Sequence, residues 1–61
     1  MIKITRLNDK EIVLNCDLIL TVEANPDTTI TVTTGNKYIV KESVEDIISL
    51  TKQYKRDIFT N

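Results

Sequence analysis

The sequence predicts an α+β domain: a small antiparallel five-stranded meander sheet followed by one C-terminal amphipathic helix packed on it. Three observations predict it. Turn signals cut the first 41 residues into five short runs rich in β-branched residues, MIKITR, EIVLN, LILTVEA, TTITVTT and KYIVK. From Ser43 onward the apolar period becomes helical, with Val44, Ile47, Ile48, Thr51, Tyr54 and Ile58 at i, i+3, i+4 spacing. Ser43-Val44-Glu45-Asp46 opens that segment as a helix start, with Ser43 placed to cap the amide of Asp46 and two carboxylates at the positive end of the dipole. Asp46 stands where a capping box more often has Glu or Gln. With 61 residues, the chain reads as a single domain over 1–61, strands over about 1–41 and helix over about 44–57.

The strand registers follow from asking which turn gathers the apolar side chains. In the first hairpin the loop Leu7-Asn8-Asp9 pairs Ile4 with Ile12 and Ile2 with Leu14. That loop needs Asp9 in the left-handed region, where a non-glycine residue costs roughly 1–2 kcal/mol, less for Asp than for most. The middle turn is Asn25-Pro26-Asp27, with Pro26 fixing its φ, and it brings Leu18, Leu20 and Val22 to the face of Ile30 and Val32.

The third hairpin has two candidate turns. A two-residue turn at Thr34-Gly35 pairs Ile30 with Ile39 and sends Tyr38 and Val40 to the opposite face. A three-residue loop, Thr33-Thr34-Gly35, with Gly35 left-handed in a G1 bulge, pairs Val32 with Asn36, Ile30 with Tyr38 and Thr28 with Val40. Only the second puts Ile30, Val32, Tyr38 and Val40 on one face, so it is the expected register. Gly35, Pro26 and Ser43 are thus assigned structural roles. The threonines divide accordingly: Thr28 at the edge of the apolar face, Thr33 and Thr34 in the loop, Thr29 and Thr31 facing away from the core.

The opposite face carries Lys3, Thr5, Val13, Ile19, Thr21, Glu23, Thr29, Thr31, Ile39 and Lys41. It is mostly polar, and its apolar members make it the candidate for a partner. Thr29, Thr31, Ile39, Lys41 and Ile19 are the residues assigned to that surface.

Composition narrows the function classes. A chain this short buries only about 60% of the surface exposed when unfolded, so its stability is marginal. One cysteine, Cys16, and no histidine leave neither an intrachain disulfide nor a Cys/His metal cluster, so no metal and no cofactor are expected. Self-association through a sheet edge, or docking on a larger partner, is the remaining way to bury more surface. The free thiol, the lack of a secretory apolar core in MIKITRLNDK and the absence of a run of roughly 20 apolar residues predict a cytosolic chain with no membrane insertion.

Catalysis has little to work with. No histidine can serve Cys16, Ser43 or Ser49 as a base, Glu45 and Asp46 diverge on a helix start, and one glycine cannot build a phosphate loop. Cys16 reads as a small, partly buried side chain rather than a reactive thiol. The expectation is a non-enzyme.

A strand-rich unit with one following helix is similar to small RNA-binding regulators and to the DNA-binding domains of some response regulators. That alternative wants a basic patch and stacking aromatics. The net charge is −1, the basic residues are scattered, and the only aromatics are Tyr38, Tyr54 and Phe59, the two tyrosines at core positions.

Read in order, MIKITRLN, EIVLN-CDLI, TVEANPDTTITVTTGNKYIVKES and VEDII closely resemble the small flagellar FlbD family, also called the swarming motility SwrD family. The likeness runs from Met1 to about Arg56, and its most specific part is Glu23 to Thr31 followed by Gly35 to Ser43. The resemblance implies a cytoplasmic protein of flagellar biosynthesis that supports motor function or swarming. The expected role is an accessory, peripheral to the flagellar base, that binds a flagellar motor or export component, with a small RNA- or DNA-binding regulator of motility genes as the alternative. The resemblance brings no catalytic residues. Two positions depart from the family pattern: Asp9 stands where glycine is usual, and Cys16 where proline is common.

Overall fold

A computed structural model describes residues 1–59 of the chain, with side chains for 1–56. Its strands are β1 (Ile2–Thr5), β2 (Glu11–Leu14), β3 (Ile19–Ala24), β4 (Thr28–Val32) and β5 (Lys37–Val40), followed by the helix α1 (Val44–Phe59). The α+β class and the element order are those expected from the sequence. The single five-stranded meander is not. β1 and β2 form a two-stranded sheet, and β3, β4 and β5 form a separate three-stranded one.

The meander breaks between β2 and β3 for a local reason. Asn15 accepts a hydrogen bond on Oδ1 from the Asp17 N–H at 3.0 Å, and its carbonyl accepts from the Leu18 N–H at 3.0 Å. These bonds wind Cys16–Leu18 into one turn of 3-10 helix, which buries Cys16 and redirects the chain. A short polar side chain that bonds its own backbone two residues on is a turn former, and here it replaces a strand pairing. The carbonyl of Leu18 then accepts from the Thr33 N–H at 2.8 Å, which ties the start of β3 to the far hairpin rather than to β2.

The first and third hairpins take the expected registers. Ile2 pairs with Leu14 and Ile4 with Ile12. Thr28 pairs with Val40 and Ile30 with Tyr38, across a loop in which Gly35 has φ 93°. Asp9 sits at φ 67°, and the Asn25–Pro26 peptide is cis.

One register detail overturns an assignment. β3 carries an irregularity between Ile19 and Thr21, so Ile19 lies opposite Val32 while Val22 lies opposite Ile30. The extra residue shifts the alternation by one. Ile19 and Val22, an odd distance apart, therefore both turn inward, while Leu18 and Leu20, expected on the core face, stand 43% and 62% exposed.

The two sheets meet at one corner. Arg6 bridges Val40, and the Lys41 N–H donates to the Thr5 carbonyl at 2.8 Å. The Thr5 N–H donates to both carboxylate oxygens of Glu42, at 2.8 and 3.1 Å. A side chain thus finishes what the backbone ladder leaves open, and the strands follow one another as β2-β1-β5-β4-β3 around the core.

Burial pushes the Glu42 carboxyl up, and nearby Asp46 adds to this, but the hydrogen bonds from Thr5 and from its own N–H outweigh both and hold it below the ordinary glutamate range. A carboxyl depressed in the folded state stabilises the fold above its unfolded pKa, and that contribution is lost as pH falls through the folded value. Glu42 is half-exposed, so the discounted gain is about 1 kcal/mol. Glu42→Gln is expected to lower the urea midpoint at neutral pH by that amount. The gap between the two proteins should close as the solution is acidified below the glutamate range. A gap that persists unchanged in acid would assign the loss to packing.

The core is Ile2, Ile4, Leu14, Cys16, Ile30, Val32, Val40 and Ile47, with Ile12, Ile19, Val22, Tyr38, Leu50 and Tyr54 packed around it. Ser43 starts α1 with a reciprocal cap: the Asp46 N–H donates to Ser43 Oγ at 3.1 Å, and the Ser43 N–H donates to Asp46 Oδ2 at 3.2 Å. Aspartate therefore completes the box as glutamate would. α1 lies across β1 and β3. Its contact stripe is Val44, Ile47, Leu50, Thr51 and Tyr54. Ile48, expected on that stripe, is 48% exposed, because the face that meets both strands is narrower than the apolar arc of the sequence. Ile58 lies outside the described side chains.

Candidate functional site

The outer face of β3-β4-β5 is built by cross-strand rows. Glu23, Thr29 and Ile39 form one row, and Thr21, Thr31 and Lys37 form the next. The intervening row, Val22, Ile30 and Tyr38, turns to the core. The G1 bulge at Gly35 puts Thr31 beside Lys37 and Thr29 beside Ile39, so the register of one loop decides which residues share this surface.

Of the five residues assigned to a partner surface, three come together. Thr29 and Thr31 sit on the central strand, flanked on both sides, and are half-buried. Thr29 Oγ1 donates to the Asp27 carbonyl at 3.2 Å, which holds the turn into β4. Ile39 lies beside Thr29 and is 45% exposed. Its row makes it the apolar centre of an otherwise polar face.

The other two do different things. Ile19 packs against the core and lines a groove with Cys16, Val22 and Ile47, because the β3 irregularity turned it inward. Lys41 pairs through Nζ with the Asp9 carboxylate, which pins the first hairpin turn to the end of β5. Exposed pairs of this kind contribute at most about 1 kcal/mol, so its effect is chiefly on where the turn sits.

Three residues outside that assignment complete the surface. Arg6, Leu7 and Asn8 from the first hairpin turn line a shallow groove of about 300 Å3 with Lys37 and Ile39. Leu7 is 48% exposed, and the Arg6 guanidinium stands 5.9 Å from the Tyr38 ring centroid. No periodic signal in the sequence places a loop leucine beside Ile39. The Arg6–Val40 bridge does it, and such a long-range pairing leaves no local trace.

The free edge of β3 carries its irregularity at Leu20. A bulge in an edge strand twists it out of line for a flat pairing with another strand. Among the described residues no group of three or more His, Cys, Asp and Glu side chains could hold a metal ion. Every buried side-chain polar atom among them has a hydrogen-bond partner.

Residues 1–59 match the family model for FlbD, described as flagellar and swarming motility proteins. The chain belongs to the FlbD family. Comparison with the curated proteins and with the solved structures found no match. The FlbD match spans both hairpin systems, the 3-10 turn and α1, so it covers the groove and the outer face as well as the core. Asp9 adopts the left-handed backbone and its carboxylate holds Lys41. No helix among the described residues is long and apolar enough to cross a membrane.

Proposed function

We propose that this FlbD-family protein is a non-enzymatic cytoplasmic accessory of the flagellum that supports motor function or swarming by binding another protein through the outer face of β3-β4-β5. The observation that carries the reading is Ile39. A rigid, paired strand holds it 45% exposed between polar neighbours and beside a second exposed aliphatic, Leu7, with which it shares a groove. Apolar side chains gathered on a polar face are what a protein partner covers. The non-enzymatic reading rests on the residue types present, with no histidine to act as base for Cys16, Ser43 or Ser49. The cytoplasmic reading rests on the lone cysteine, which has no partner for a disulfide.

Capture of flagellar motor or export components from motile cells tests it. Ile39→Asp puts a charge into the middle of the surface without touching the core. The variant is expected to remain folded by circular dichroism, to lose capture by about tenfold or more, and to fail to restore swarming. Wild-type capture and swarming with a folded Ile39→Asp protein would refute the assignment of this face.

Regulation by nucleic-acid binding is the competing outcome, and the aromatics weigh against it: Tyr38 and Tyr54 are packed against the core rather than presented for stacking. Phosphate-driven binding would show itself in a titration at two salt concentrations by a steep loss of affinity in the higher one.

A further inference from the structure

The groove between the first hairpin turn and β5 sets cations beside exposed aliphatic side chains. Its lining is Arg6, Leu7, Asn8, Lys37 and Ile39: two cations, two exposed aliphatic side chains, one amide and no carboxylate. The chain as a whole has nine acidic residues against eight basic ones, so this local excess of positive charge runs against the net −1. Asp9, the nearest acid along the turn, is paired with Lys41, which offsets its charge beside the groove.

The backbone that carries the two cations is paired. Arg6 is bridged to Val40 through its backbone, and its guanidinium lies over the Tyr38 ring, a cation–π geometry that orients the head group. Lys37 starts β5, paired with Thr31. Cations fixed on paired backbone lose less freedom on binding than cations on a loose loop.

We propose that this groove takes an acidic, aliphatic segment of the partner protein, with carboxylates on Arg6 and Lys37 and apolar side chains against Leu7 and Ile39; the proposal rests on the protein-binding reading above. Charge complementarity selects an acidic occupant. The paired aliphatics select a polypeptide over a nucleic acid, since bases would need an exposed ring to stack on and Tyr38 is turned to the core. An open groove of about 300 Å3 accommodates a few side chains of a segment rather than a folded domain.

The test is a nitrogen-15 NMR titration of the full chain with four probes: a labelled peptide alternating leucine and glutamate, its leucine–lysine and serine–glutamate counterparts, and a single-stranded oligothymidine. The leucine–glutamate peptide is expected to shift the amides of Arg6, Leu7, Lys37 and Ile39, and to bind more tightly than the other three. Lys37→Glu and Leu7→Ser, both at exposed positions, should each weaken it by about tenfold. Absence of binding, equal binding of the lysine or serine peptide, shifts mapped elsewhere, or preferential binding of the oligothymidine at these residues would each overturn the proposal. A capture experiment separates the two readings. Loss of the cellular partner with Ile39→Asp but full retention with Lys37→Glu would reject the acidic segment while leaving the protein-binding face in place.

Discussion

Ile30→Ala is expected to remove a large share of the stability of the fold, with a loss of about 2–5 kcal/mol. Ile30 is completely buried at the centre of β4, facing Tyr38 and Val22 across its two neighbours. Truncation removes apolar contact and leaves a cavity that a strand bonded on both edges cannot collapse to fill. A domain of 61 residues has a total stability of about 3–9 kcal/mol, so the loss is comparable with the whole. Ile39→Ala, in the same hairpin but on the outer face, should cost no more than about 0.5 kcal/mol. Urea unfolding of the two variants reads the difference directly. Equal sensitivity at the two positions would mean that Ile30 and Ile39 share a face, which is the outcome of the two-residue turn that the structure does not adopt.

Gly35→Val is expected to cost about 2 kcal/mol or more, and Gly35→Asn less than about 1 kcal/mol. The reason is backbone conformation rather than space. Gly35 has φ 93°, and a β-carbon built there would meet nothing within 4 Å. A β-branched residue is strongly disfavoured at such a φ, whereas asparagine tolerates left-handed backbone. The loop is held by the Gly35 N–H donating to the Val32 carbonyl at 2.9 Å and the Val32 N–H donating to the Asn36 carbonyl at 3.0 Å. Valine strains both, and any relief by register slip would turn Ile39 inward and Tyr38 and Val40 outward. Hydrogen exchange at Val32 and Asn36, beside the unfolding midpoint, distinguishes local loosening from global loss. An asparagine variant as unstable as the valine one would mean that something other than φ constrains the position.

Much of this architecture is legible along the chain because it rests on short-range rules. Alternation over four or five residues identifies β1, β2, β4 and β5, and the turn residues Asp9 and Gly35 select their loops by the backbone angles they tolerate. The Ser43–Asp46 cap marks the start of α1 to the residue. The failures share a different character. Leu18 and Leu20 alternate correctly with Val22 in sequence, but the 3-10 turn at Cys16 and the irregularity in β3 change which of them point inward. Ile48 satisfies the helical period, yet whether it is covered depends on how wide a face β1 and β3 offer to α1. Glu42 reads as a polar residue before a helix, and only the fold brings the Thr5 N–H to its carboxylate.

The candidate surface divides the same way. Thr29, Thr31 and Ile39 share a face because strand alternation and one glycine loop require it, and both are written in adjacent residues. Arg6 and Leu7 join them only because the two hairpins close at the Arg6–Val40 bridge. What the amino-acid order alone determined about this FlbD-family protein is therefore its elements, the registers of its first and third hairpins and the outer threonine–isoleucine face, since each depends on neighbours a few bonds apart. What only the tertiary structure decided is the split into two sheets, the inward turn of Ile19, and the groove with its cations. The split and the turn of Ile19 follow from the 3-10 turn at Cys16–Leu18 and the irregularity in β3. The groove depends on contacts between residues more than thirty positions apart, such as Arg6 with Val40, beside which Thr5 meets Glu42 at a separation of 37, and chain closure over that distance is settled by the packing of the whole rather than by any local preference.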